Sequence, residues 1–151
     1  TLPSPWVEGP NAVSTDLIGG EAATEVSEFT AAGPTTVNSG VGKTVVVSGT
    51  VDTSPGNIVN CTVSFDWELG APALSEVYMQ TDWNAVTTAR YLATVKSGEG
   101  TRYGSAADTW NFIADSSSEV VQFRVNQVGA GGTVSPRNVK NLRLRVEVIK
   151  R

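Results

Sequence analysis

The sequence predicts an all-β fold: an antiparallel β-sandwich, jelly-roll-like, preceded by an extended N-terminal arm. Three observations carry that expectation. The stretch from Ile58 to Leu69 sets Val59, Cys61, Val63, Phe65, Trp67 and Leu69 against Asn60, Thr62, Ser64, Asp66 and Glu68, the period of a strand buried on one face. Six further segments of alternating or β-branched character are separated by Gly-, Ser- and Asp-rich turns, with no helical period among them. The charged fraction is 17%, below the roughly 25% of average globular proteins. With 151 residues the chain is long enough for one domain with its own core.

In chain order, Thr44 to Val51 reads as a strand with Val45, Val47 and Val51 on one side, and Asp52 to Asn57 as its turn. The strand from Ile58 to Leu69 ends at Gly70-Ala-Pro-Ala73. Leu74 to Trp83 alternates Val77, Met79, Thr81 and Trp83 with Glu76, Tyr78, Gln80 and Asp82. Arg90 to Lys96 follows, then Ser97 to Asp108 as a long flexible connection, then a short strand from Thr109 to Ala114. Glu119 to Val128 turns Val121, Phe123 and Val125 inward, and Asn138 to Ile149 does the same with Leu142, Leu144, Val146 and Val148. Seven such strands fit two sheets packed face to face, and the absence of an internal repeat argues against a propeller or solenoid.

Residues 1–42 are expected to form the arm and 43–151 the sandwich. The arm carries four prolines before residue 35, scattered apolar residues (Trp6, Leu17, Ile18, Phe29), five acids and no Lys or Arg. Such a stretch covers itself poorly and orders when laid on a neighbour; Ala22 to Phe29 is the one part expected to be a short helix. The last fifteen residues have the opposite sign: Arg137, Lys140, Arg143, Arg145, Lys150 and Arg151 against Glu147 alone. Opposite ends of opposite charge predict that the N-terminal segment meets the C-terminal strand, within one subunit or between neighbours.

The chain has no histidine, which removes Ser-His-Asp and Cys-His catalysis and most zinc, copper and haem sites. Cys61 is the only cysteine and falls on the apolar face of its strand, so a core role is expected, with assembly in a reducing compartment. No apolar run approaches the ~20 residues of a membrane helix, and Thr1 to Gly20 lacks the basic and apolar regions of a signal peptide. A soluble chain with no membrane partner is expected. The formal charge of -4 and the absence of Lys/Arg clustering outside the last strand argue against nucleic acid.

Few residues suggest chemistry. Asp66 and Glu68 lie two apart on a polar strand face, roughly 7 Å from each other, within the range of paired glycosidase carboxylates. The same spacing arises on any solvated strand, and no enzymatic activity is expected. Asp115 to Glu119 and the loop from Glu99 to Asp108 offer oxygen ligands without the spacing of a calcium loop, so no metal or cofactor is expected. Flat rings stack on sugar faces, and Trp83 and Tyr103 are the leading candidates for such ligand stacking, with Tyr91 and Trp110 behind them; core or rim packing is the competing reading.

The arm from Trp6 to Phe29 and the basic strand from Val139 to Ile149, on a weakly charged β-sandwich, resemble in layout the small decoration or cement proteins of tailed-bacteriophage capsids. The resemblance covers the layout and transfers no site residue. It implies a homotrimer on the virion surface, assembled in the host cytoplasm, that clamps capsid or other virion subunits. Trp6, Leu17, Ile18, Phe29, Arg143 and Arg145 are then the expected assembly interface. The alternative is a carbohydrate-binding module or receptor-binding fibre-tip domain, which would be extracellular.

Overall fold

The structure, a computed structural model, describes residues 24–40, 42–84 and 89–151. Its strands are β1 (Thr24–Ala31), β2 (Thr35–Thr36), β3 (Asn38–Ser39), β4 (Thr44–Asp52), β5 (Ile58–Leu69), β6 (Glu76–Trp83), β7 (Arg90–Lys96), β8 (Arg102–Ile113), β9 (Ser118–Val128) and β10 (Arg137–Ile149). The first sheet runs β1-β10-β5-β8, with β2 continuing along β10 beyond β1. The second runs β4-β9-β6-β7, with β3 lying parallel to β9 beside β4. Among the eight long strands the first pairs the last, the second the seventh, the third the sixth and the fourth the fifth, every pair antiparallel. That is a long hairpin rolled on itself, the jelly-roll arrangement.

The alternation of β5 fixes which residues fill the space between the sheets. Val59, Cys61, Val63, Phe65 and Leu69 are buried, and Leu142, Leu144, Val146 and Val148 of β10 line up beside them. From the second sheet come Val77, Met79 and Trp83 of β6 with Val121, Phe123 and Val125 of β9. Aromatic contacts knit the layers: Phe65 meets Phe123 at 5.3 Å between ring centroids, and Phe123 meets Trp83 at 4.9 Å, both tilted. Such pairs add about 0.5–1.5 kcal/mol each beyond the area they bury.

Three local expectations are corrected. Thr24–Ala31 is a strand, not a helix: pairing along its whole length with β10 outweighs the helical preference of its Ala and Glu residues. Residues 24–39, read from sequence as part of the arm, thus contribute β1, β2 and β3 to the two sheets. The segment expected to be a flexible connection supplies the first half of β8, paired residue for residue with β5 from Ile58↔Ile113 to Leu69↔Arg102. Its small residues hid it, and a close approach explains them: a Cβ on Gly104 would stand 2.5 Å from the Trp67 indole, which spreads over that glycine. Finally, a bulge between Val45 and Val47 turns Val46 and Val47 both inward and leaves Val45 exposed, whereas simple alternation paired Val45 with Val47.

Burial pushes the Cys61 thiol up to about 12 from an ordinary 9.0. The unfolded chain therefore loses this proton first, and the stabilisation is complete below about pH 9 and is lost as pH rises toward 12. Between pH 8 and 10.5 the wild type should lose about 2 kcal/mol more stability than Cys61→Ala in urea unfolding. Equal losses would show that the thiol is solvated in the folded state.

Candidate functional site

The acidic and basic ends of the chain meet within one subunit. Antiparallel register sets Glu28 opposite Arg145 and Glu25 opposite Val148. Glu28 reaches diagonally to Arg143, whose Nη2 donates to both carboxylate oxygens at 2.7 and 2.9 Å. Lys150 pairs with Glu25, and Arg145 turns along its own strand to Glu147 at 2.6 Å. These pairs are exposed, so each contributes about 0–1 kcal/mol. Phe29 points the other way, into the sandwich, over a glycine it requires: a Cβ on Gly49 would stand 2.3 Å from its ring. Two ion pairs outside and one ring inside thus hold β1 on the sheet edge. Val26, Glu28, Thr62, Ser64, Arg143 and Arg145 surround a depression of about 540 Å³ on this outer face.

Further along the same face, toward β8, lies a polar lattice. Ser105 Oγ donates to Asp66 Oδ1 at 2.6 Å and Asn141 Nδ2 to Asp66 Oδ2 at 2.7 Å. These two bonds, with Lys140 nearby, hold the Asp66 carboxyl below its ordinary 3.8 against a smaller opposing effect of burial. Asn141 reaches Asp66 because β10 bulges between Lys140 and Arg143, with Asn141 in the left-handed region at φ 53°. One step along, Asn138 Nδ2 donates to Glu68 Oε1 at 2.6 Å and Asn138 Oδ1 accepts from Thr36 at 3.1 Å. Tyr103 stands directly across from Glu68 in the β5–β8 register and is 69% exposed. A carboxylate held ionised is an acceptor, the reverse of the raised pKa a glycosidase acid needs.

Trp83 is not a stacking platform: it is 1% exposed, because the inward alternation of β6 runs to its last residue. Its ring lies against Trp110 at 5.8 Å, and Trp110 in turn stacks on Phe112 at 4.6 Å. Tyr91 is exposed and stacks on Tyr78 at 4.6 Å on the outer face of the second sheet. Trp6, Leu17 and Ile18 lie outside the described residues. Glu119 Oε1 accepts from the backbone of Asp115 and Ser116 and from Ser116 Oγ. Burial pushes its carboxyl up, but those bonds together bring it below the ordinary 4.5.

Sequence reasoning missed Asp82. Its side chain is 1% exposed, although it projects from the outer face of β6, because Lys43 and Arg124 close over it. Arg124 Nε donates to Asp82 Oδ1 at 2.9 Å and Arg124 Nη2 to the Trp83 carbonyl at 3.0 Å. The β6–β9 register places Asp82 opposite Arg124; only that register, invisible in a single strand's pattern, could have signalled the pair. A second cluster guards an edge. Asp108 takes Arg90 and the Trp83 indole N–H, Thr109 N–H donates to Asp108 Oδ1 at 2.9 Å and Arg90 Nη1 to the Thr109 carbonyl at 3.2 Å. The middle of β8 is thereby capped from within the subunit.

No protein-family model matches the chain, and no curated protein matches it in sequence. Solved structures similar in outline include one of infectious bursal disease virus, Gx strain, at TM-score 0.48 and 8% identity, covering 86% of this chain and 33% of that one. Eiger TNF from S. frugiperda aligns at TM-score 0.41 and 9% identity over 85% and 94% of the two chains. A family 35 carbohydrate-binding module from Clostridium thermocellum aligns at 0.33 and 16% over 80% and 90%. The chain spans about a third of the viral chain it matches. The jelly-roll assignment rests on the strand order itself.

Removing the Asp82 carboxylate leaves two partly buried cations facing each other. Asp82→Ala should lower stability by about 3–5 kcal/mol, read as a fall in the urea midpoint at unchanged slope. A fall below about 1 kcal/mol would mark the cluster as solvated surface charge.

Proposed function

We propose that this chain is a structural virion protein, a capsid decoration or cement subunit that stabilises a shell through subunit–subunit contacts. The observation that carries the reading is the clamp on β1. Two ion pairs, to Arg143 of β10 and to Lys150 just after it, and the Phe29 ring over Gly49 fix the strand that follows residues 1–23 in the chain. That stretch carries Trp6, Leu17 and Ile18 with three acids and no Lys or Arg, a composition suited to a partner's surface rather than to a core of its own. Its contour reaches at most about 80 Å, enough to cross a neighbouring subunit and contribute to an interface of the standard ~1,600 Å². Jelly rolls also build viral capsid domains, a fold-level analogy that raises the prior and identifies no residue. The working picture is a homotrimer seated on capsid subunits at the virion surface, assembled in the host cytoplasm. Its mechanism is mechanical: anchors buried on neighbours resist outward pressure on the shell.

Deleting residues 1–23, which stops short of β1, separates the arm from the fold. The full chain should run as an oligomer by light scattering, and the truncated chain as a folded monomer with a melting temperature within about 4 °C. Identical masses for the two would overturn the reading.

A further inference from the structure

Two features that the sequence presents as unrelated, an exposed ring and a pair of strand carboxylates, converge on one patch. The β10–β5–β8 register builds it as two rows: Asn138, Glu68 and Tyr103, then Lys140, Asp66 and Ser105. Strand spacing and residue rise make it about 7 by 10 Å, the footprint of a hexose. We propose that this patch binds a neutral glycan, with the Tyr103 ring stacked on a pyranose face and Asp66 and Glu68 accepting from its hydroxyls. The proposal goes beyond the assembly reading, because it uses neither the arm nor the β1 clamp.

Four observations favour a sugar over other ligands. The Tyr103 ring is exposed at the rim, and an aromatic face with a few positioned polar groups is the general form of a small-molecule site. Asp66 is held by Ser105 and Asn141, and Glu68 by Asn138, so the acceptors are oriented before a ligand arrives and binding orders little. A carboxylate offers about four lone-pair directions; the bonds named occupy two on Asp66 and one on Glu68, leaving acceptor capacity for hydroxyl donors. The bulge that places Asn141 at φ 53° spends an uncommon backbone conformation on aiming one amide at Asp66. Glu68 and Asp66 against the single cation Lys140 leave the two rows with a net negative charge, which disfavours sulfated or carboxylated sugars and favours neutral saccharides. Among the described residues no group of three His, Cys, Asp or Glu could hold a metal.

The test is saturation-transfer NMR on the full chain with maltohexaose, cellohexaose, chitohexaose, mannohexaose and N-acetyllactosamine, and with a heparin hexasaccharide as the anionic control. At least one neutral sugar should bind at or below about 10 mM. Tyr103→Ala should weaken it about tenfold or more and Tyr103→Phe by less than about threefold, since the ring matters and not its hydroxyl. Asp66→Asn should weaken it as well, and the chain lacking residues 1–23 should bind like the full chain, so that failure of assembly and failure of sugar binding are told apart. Tyr103 is exposed, so its variants should melt with the wild type. No transfer to any neutral sugar, transfer unaffected by Tyr103→Ala, or binding of the heparin hexasaccharide alone would overturn the proposal.

Discussion

Pairing of the first long strand with the last is the constraint on which the remaining architecture depends. It joins strands more than a hundred positions apart in the chain, and β1 meets β10 over its full length, from Thr24↔Ile149 to Ala31↔Leu142. The pairing has two independent supports. Outside, Glu25 and Glu28 meet Lys150 and Arg143, which steers register more than it adds stability. Inside, the Phe29 ring occupies the space left by the missing Cβ of Gly49 on the opposite sheet. The edge of β10 that would otherwise present bare backbone is thereby covered by a strand tied to the core.

The four sheet edges are treated differently. β4 is bulged at Val45/Val47 and β7 pairs through a shifted register at Met79/Gln80, both devices that discourage further pairing. β8 is long and regular, but Asp108 and Arg90 satisfy its outward N–H and C=O at Thr109. β1, the end strand of its sheet, carries acids paired to Arg143 and Lys150. These features disfavour edge-to-edge pairing of the sheets.

Much of this was legible in single-strand patterns and the remainder was not. The alternation of β5, β9 and β10 identified the core face correctly because each has a polar side facing water and an apolar side facing a sheet. The charge asymmetry of the chain ends indicated that the N-terminal segment meets the C-terminal strand, within one subunit or between neighbours, and the structure supplies the pairs, Glu28–Arg143 and Glu25–Lys150. β8 was half lost because Gly104, Ser105, Ala106 and Ala107 carry little hydrophobic signal, the volume being filled by Trp67 from the neighbouring strand. β1 was misread as helix because its pairing energy comes from residues more than a hundred positions away. Asp82–Arg124 and Glu68–Tyr103 belong to the same class: each is defined by cross-strand register, which a sequence specifies but does not display.

The most direct test of this account is the nuclear Overhauser pattern of β1 on isotope-labelled full-length chain. The account predicts cross-strand contacts between Thr24–Ala31 and Leu142–Ile149, together with contacts from the Phe29 ring to the Gly49 α-protons. In a sample mixed from labelled and unlabelled chains, those contacts should arise within single molecules. Helical i to i+3 contacts across residues 24–31, or cross-strand contacts found only between different molecules, would contradict it.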